Sequence, residues 1–537
     1  MDNENTNTNK NFLKGTLILT LSSIVVKVIG SLNWIFLSRV LGGEGIGLYQ
    51  MGFPIYLMAI TVSSAGIPVA ISIITSEKLA NKDYRGAKRV FSVSLRLLFI
   101  SGVIFSSATF FGAGYLTENH VIRDARAYYS IVALAPAVFF VTFLASFRGY
   151  LQGWQIMTPT AWSEVVEQIM RVITMLIFAD LFMPYGLAYA AGGASMGAGV
   201  GAFCALLVLC WFYARLKKKM QKEMEAQDDS APVEAALSIV KRLLALALPV
   251  SLSSLMLPIG ANLDLLIVPQ RLEVAGFEVR HATELFGYLT GMAVPLVNLA
   301  TIVTAAMTIS LVPAISESRT LGAVEAIRDK IRIAFRVALI ITFPCFMGLF
   351  FLAEKVAALI YNAPLAASAI QSMSIGILFL GMHQISTGIL QGLEHTGIPV
   401  INMIIACIAK IVMSWVLTAQ PILGIKGAAL ATVADFAVAA VLNMIFIYKY
   451  TGYKLSLGSI IRPAIASSVM GAVIYGVLLV TDKLGAWSIL FAMLASIPTY
   501  ALSLMATGGL SREDFDNIPF VGRRLLSLGQ KFGLFKE

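Results

Sequence analysis

The chain has 537 residues, 58% of them AVILMFWYC and only 13% DEKR, with a mean hydropathy of +0.81. Soluble domains run at roughly 45 to 50% apolar and about 25% charged, so a soluble enzyme or nucleic-acid binder is excluded. The net charge of +10 calls for no nucleic acid, because the anionic inner leaflet attracts basic loops.

Continuous apolar runs recur along the chain, each of the roughly 20 residues that cross a hydrocarbon core of about 30 Å as a helix. Barrel strands would alternate over about 10 residues, which leaves helices as the spanning structure. The predicted spans are 13–38, 48–75, 90–115, 128–151, 161–183, 188–213, 243–268, 284–312, 333–353, 368–391, 399–419, 424–448, 459–480 and 486–508. The stretch before them, 2–11, is polar and Asn-rich. The first span is too long for a signal peptide and lacks a small-residue cleavage site.

The expected fold is therefore an all-α integral membrane protein of fourteen transmembrane helices, two pseudo-symmetric six-helix lobes plus two C-terminal helices. Residues 1–213 form the N-terminal lobe, 214–242 a cytoplasmic linker, 243–450 the C-terminal lobe and 451–510 helices thirteen and fourteen. Residues 511–537 are a basic amphipathic cytoplasmic tail. With the N-terminus inside, and with residues in the first or last few positions of a span such as Lys14, Arg148, Lys426 and Arg462 counted with the adjoining segment, 27 of the 40 Lys and Arg fall inside and 8 outside, which places both termini in the cytoplasm of a plasma-membrane protein. Cys204, Cys210, Cys345 and Cys407 all lie in apolar runs without metal spacing and read as small hydrophobes.

The lobes are inferred from an internal repeat. The Gly149 to Gly153 motif (Gly-Tyr-Leu-Gln-Gly) returns as Gly388 to Gly392 (Gly-Ile-Leu-Gln-Gly), 239 residues on, followed by Pro159 and Pro399. At the same offset Tyr49 and Gly52 match Tyr288 and Gly291, and Arg171 matches Lys410. Six spans are repeated, and because six is even the copies are parallel.

No phosphate-binding loop is present, so ATP is not the energy source by that route. Gly193, Gly197 and Gly201 fall four apart inside a span and read as close helix packing rather than a nucleotide loop. Prolines within spans, among them Pro54, Pro68 and Pro295, imply bent helices. No nucleophile with its base, paired carboxylates or metal cluster is discernible, so neither an enzyme, a metal nor a cofactor is expected. His383, alone of the four histidines well inside a span, reads as a packed, hydrogen-bonded side chain.

Ionisable groups inside spans carry the functional reading, since each costs roughly 2.5 to 3.5 kcal/mol at a helix centre. Lys27, midway along the first span, is either a cavity cation or a lysine paired with a neighbouring helix. Glu164, Glu167 and Arg171 share one face of span five, and Glu167 with Arg171 has the spacing of a helical ion pair. Lys410 has Met403 and Ala406 where Arg171 has its acids, so the cation recurs at positions where those acids do not. Arg148, near a cytoplasmic span end, is either a site residue or a snorkelling side chain, as Arg96 and Arg336 are read to be. Asp264 with Asn262, and Asp435, are candidates for coupling to Na+ or H+, or salt-bridge partners; membrane potential is the other energy source in view. Together Lys27, Arg171 and Lys410 suggest a basic cavity, which wants an anion such as phosphate or diphosphate.

Several stretches also carry a resemblance: 12–19 (Phe-Leu-Lys-Gly-Thr-Leu-Ile-Leu), 45–49 (Gly-Ile-Gly-Leu-Tyr), 66–72 (Gly-Ile-Pro-Val-Ala-Ile-Ser) and 148–153 (Arg-Gly-Tyr-Leu-Gln-Gly) with Met157 and Pro159. Glu167-Gln168 with Arg171, and 184–186 (Pro-Tyr-Gly), complete the set. In their order and spacing the chain resembles the polysaccharide-flippase branch of the multidrug/oligosaccharidyl-lipid/polysaccharide exporter superfamily. It is most similar to the stage V sporulation protein B group, relatives of the lipid II flippases. The resemblance implies two six-helix lobes, a central cationic cavity and a groove for a polyprenyl tail along spans thirteen and fourteen. It further implies a lipid-linked saccharide as substrate, membrane lipids as the other partners, a monomer, and a place in peptidoglycan or polysaccharide export during spore cortex formation. The family's basic residue in span one is Lys27 here, while its second arginine is replaced at Asn33 or Trp34. A cation-coupled small-molecule exporter of the same superfamily and a non-transporting cell-wall scaffold are the alternatives.

Overall fold

The computed structural model describes residues 2–225, 234–481, 485 and 487–509, and among these the chain contains helices and turns but no strand. The linker run Asp228 to Pro232 and the tail 511–537 lie outside the described residues. The chain divides into two compact units, Met1–Gly287 and Tyr288–Glu537.

The first unit contains α1 (Asp2–Ser64), α2 (Ile67–Ala80), α3 (Tyr84–Glu118), α4 (Tyr128–Gly153), α5 (Thr158–Phe182), α6 (Leu187–Glu225), α7 (Ala236–Ser254), α8 (Met256–Val274) and α9 (Val279–Gly287). Two expected spans run together in α1, interrupted only at Gly42, whose φ of 65° is a conformation that side chains other than glycine's resist. A second glycine, Gly66 at φ 74°, separates α1 from α2, where Pro68 at the start of the new helix forgoes a donor that would be unpaired anyway. The carbonyl of Ala65, released by this break, accepts a hydrogen bond from Ser251 of α7. Asp83 caps α3 by accepting from the Gly86 amide at 2.8 Å. The first unit thus takes in 243–287, a stretch that the repeat groups with the second lobe, because α7 packs on α2. Arg242 also bonds Glu77, and Glu234 pairs with Lys78 at 3.0 Å.

The second unit holds a short π-helical turn (Tyr288–Ala293) followed by α10 (Val294–Ala300), α11 (Ile302–Thr320), α12 (Val324–Tyr361), α13 (Ala367–Ser374) and α14 (Gly376–Gly392). Then come α15 (Gly397–Leu417), α16 (Ile425–Thr451), α17 (Leu457–Thr481) and α18 (Trp487–Ala506). Its core includes Phe335, Ile385, Ile389 and Ile447, all fully buried.

Among the described residues nine helices are long and apolar enough to cross a membrane, or eleven if two pairs bent by 51° and 44° each count once. The expected count of fourteen is higher for physical reasons. One of the nine, Val25–Ala80, is 56 residues long, room for two crossings of roughly 20 each. Helix α5 carries Glu164, Glu167, Arg171 and Asp180, too many charges for an apolar run, and α7 and α8 are divided at Leu255.

The repeat is visible as packing within each unit. A Cβ at Gly149 would lie 2.6 Å from the Pro68 carbonyl oxygen, and one at Gly153 would lie 2.6 Å from Thr75 Cβ, so α4 sits hard against α2. In the second unit Gly388 meets Thr308 and Gly392 meets the Val312 carbonyl at 2.8 Å, setting α14 against α11 in the same way. Small residues four apart permit this close approach of membrane helices.

Candidate functional site

Helices α4 and α5 bring three charged side chains together. Arg171 Nη2 donates to Glu167 Oε1 at 2.7 Å, and Arg148 Nη2 donates to Glu167 Oε2 at 2.8 Å. One carboxylate therefore bridges two guanidiniums, and the trio keeps a net charge of +1. Arg148 Nε also donates to Ser163 Oγ at 3.1 Å, and the Tyr56 hydroxyl on α1 is a hydrogen-bond partner of Arg171. The side chains of Arg148, Glu167 and Arg171 are 19%, 14% and 19% exposed, so the cluster is drawn in from its surroundings but not sealed. Arg171 Nε is buried and has no hydrogen-bond partner among the described residues. Glu164, one turn away, forms no ion pair among the described residues, although Arg148 and Glu167 are its electrostatic neighbours.

The glycines of α6 hold this arrangement in place. Cβ atoms at Gly197 and Gly201 would lie 2.8 Å from the Arg171 carbonyl and 2.6 Å from the Glu167 carbonyl, while Gly193 meets Phe178. The ladder read as packing thus lies directly behind the two charged residues of α5. On α1, Trp34, Tyr49, Phe53 and Tyr56 form an unbroken row of ring contacts 5.7 to 6.2 Å apart, ending at Arg171's hydroxyl partner.

At the matching place in the second unit stand a neutral network of amides and hydroxyls and one buried lysine, Lys410. Asn402 Nδ2 donates to Asn443 Oδ1 at 2.8 Å, and Asn443 Nδ2 reaches Ser386 and Thr387, each at 3.1 Å. At the 239-residue offset Thr387 stands for Arg148, Asn402 for Ser163, Ala406 for Glu167 and Lys410 for Arg171. Lys410 is buried, 7% exposed, on the stripe of α15 that includes Asn402 and Ala406.

The other expected site residues are placed as follows. Lys27 is exposed on α1 and forms no hydrogen bond or ion pair among the described residues, so it is not bonded into the arginine cluster. Arg148, one of whose readings was a snorkelling residue, turns inward to Glu167. Arg96 is bonded within its own helix, donating to the Ser92 carbonyl and hydroxyl at 3.2 and 3.3 Å. Asp264 on α8 and Asp435 on α16 are half-buried and both engaged in polar or electrostatic contacts. Asn262 commits its amide hydrogens to the carbonyls of Pro54 and Pro258, both at 2.8 Å. Among the described residues no three His, Cys, Asp or Glu side chains cluster as a metal site requires. Tyr56 and Ser163 escaped the reading of the sequence. The available signal for Tyr56 was its place two turns after Tyr49 in an apolar helix, where a hydroxyl needs a partner.

A family model described as "Polysaccharide biosynthesis protein" matches residues 12–319. Stage V sporulation protein B of Bacillus subtilis (strain 168) is 29% identical over 524 residues, covering 96% of this chain and 99% of its own. Lipid II flippase MurJ of the same organism is 24% identical over 476 residues, 86% of this chain and 87% of its own. Among solved structures, "Lipid II flippase MurJ, inward closed conformation" aligns with a TM-score of 0.68 at 15% identity, covering 91% of this chain and 98% of that one, a likeness of fold.

Proposed function

Because the chain belongs to the polysaccharide biosynthesis protein family and is a multi-pass membrane protein, we propose that it is a flippase for lipid-linked saccharides. The cargo is an undecaprenyl-diphosphate-linked oligosaccharide, carried from the inner to the outer leaflet by alternating access. A peptidoglycan precursor destined for spore cortex is the reading favoured by similarity to stage V sporulation protein B and to a lipid II flippase.

The observation that carries the proposal is the pair of half-buried guanidiniums, Arg148 and Arg171, meeting at one carboxylate. A diphosphate head must shed the water around about two negative charges, a cost that an apolar path does not repay. Guanidiniums repay it well, because their planar donors match phosphate oxygens two at a time and they cannot be deprotonated. A cation exporter would want the reverse, acids in excess of bases. Lys27 and Lys410 are further cations of the same pathway in this reading, and coupling rests on Na+, H+ or the membrane potential.

The test is transport of a fluorescent lipid-linked oligosaccharide in proteoliposomes. An Arg148→Ala, Arg171→Ala double variant should lose transport while remaining folded, and Arg96→Ala should retain it. Full transport by the double variant would refute the anion-site reading and turn attention to the scaffold alternative.

A further inference from the structure

Glu167 is out of character in a site for an anion. An acid between the two arginines repels the proposed cargo, yet both of its oxygens are engaged, one per guanidinium, at 2.7 and 2.8 Å. We infer that Glu167 is the internal counter-anion of this site: it occupies the two guanidiniums while the site is empty and yields them to the diphosphate when the cargo enters. The inference rests on the proposed anion-binding reading and adds to it the means by which the site stays closed and later lets go.

Three observations carry it. Two half-buried guanidiniums without an anion would be costly, since breaking a buried pair leaves an uncompensated charge, so an empty site needs a resident acid. The resident does not satisfy the site fully: Arg171 Nε is buried with no acceptor among the described residues, and an oxyanion with more oxygens than a carboxylate can supply one. Finally, at the repeat-matched positions Thr387 stands for Arg148 and Ala406 for Glu167, so this acid is present where the two arginines are paired and absent where they are not. The acid goes with the pair of arginines and not with the fold. Displacement also supplies release, because a carboxylate tethered to α5 competes at a high local concentration that no free anion has to match.

The experiment measures inorganic diphosphate binding to the purified full-length protein by calorimetry. Arg171→Ala should abolish binding. Glu167→Gln should bind about tenfold more tightly, the correction expected if the carboxylate occupies the site about nine-tenths of the time. Glu164→Gln removes the same charge one turn away from a residue bonded to neither arginine, and should give a much smaller gain. If Arg171→Ala binds like wild type, the anion-site reading itself fails. If Arg171→Ala loses binding but Glu167→Gln gains nothing, or gains no more than Glu164→Gln, only the counter-anion role is overturned. Should Glu167→Gln not yield folded protein, Glu167→Asp withdraws the carboxylate by one methylene, and tighter binding is again expected; an unchanged or weaker affinity refutes the inference.

Discussion

Gly201 of α6 faces the carbonyl oxygen of Glu167 so closely that a Cβ there would lie 2.6 Å from it, and 3.0 Å from Arg171 Cβ. Backbone cannot turn aside as a side chain can. Gly201→Ala should therefore push α6 from α5, destabilising the protein by about 1 to 3 kcal/mol as overpacking does, and should move the carboxylate off its two arginines. A lowered melting temperature in detergent together with slowed transport is the expected result; an unchanged melting temperature would contradict the packing described.

The two repeats should differ in their tolerance of the same change. At Gly149 the obstacle is the Pro68 carbonyl at 2.6 Å, whereas at Gly388 it is the Thr308 Cγ2 methyl at 2.6 Å with backbone at 3.4 Å. A threonine can change rotamer, at a cost of order 0.5 to 1.5 kcal/mol for an off-rotamer fit. Gly149→Ala should thus lower the melting temperature more than Gly388→Ala, and the reverse order would show that the repeat interfaces are not as drawn.

The contact of Glu234 with Lys78 sets a pH dependence. The hydrogen bond from Lys78 holds the Glu234 carboxyl below the usual carboxylate range, against a smaller opposing effect of burial. A carboxyl whose folded value is depressed contributes its stability fully above its unfolded value, about 4.3, and loses it as pH falls through the folded value. Wild type should melt slightly above Glu234→Gln at pH 7, and the gap should close as the pH is lowered below about 4. Because the pair is partly open to solvent the gap should be small and should shrink in concentrated salt.

Orientation can be read from cysteines placed in two exposed turns. The charge split puts Asn81, between α2 and α3, in the cytoplasm and Glu278, just before α9, outside. An impermeant thiol reagent added to intact cells should label Glu278→Cys and spare Asn81→Cys; labelling of the latter alone would invert the topology.

What was legible in the sequence follows from periodicity. Apolar runs gave the helical membrane class, the 239-residue offset located both glycine pairs, and the four-residue spacing identified the α6 ladder as packing. The i,i+4 relation of Glu167 and Arg171 was equally visible, since helix geometry fixes it. The role of Arg148 was not, because its bond to Glu167 crosses from α4 to α5, and that distance depends on how two separate helices pack rather than on spacing within one. Tyr56 was hidden for the same reason: a tyrosine in an apolar helix declares that it needs a partner without saying which. The break inside α1 turns on the backbone conformation of the single residue Gly42, which hydropathy does not register.

The bridge formed by Glu167 also has a pharmacological consequence. On the proposed anion-site reading, a single carboxylate reaching two guanidiniums outlines the minimal pharmacophore of a blocker: a compact acid with two outward oxygens and one more acceptor for Arg171 Nε. Small phosphonates meet that description without a lipid tail. They should inhibit transport competitively, and a phosphonate that left transport untouched at saturating concentration would show that the bridge is closed to ligands from solution.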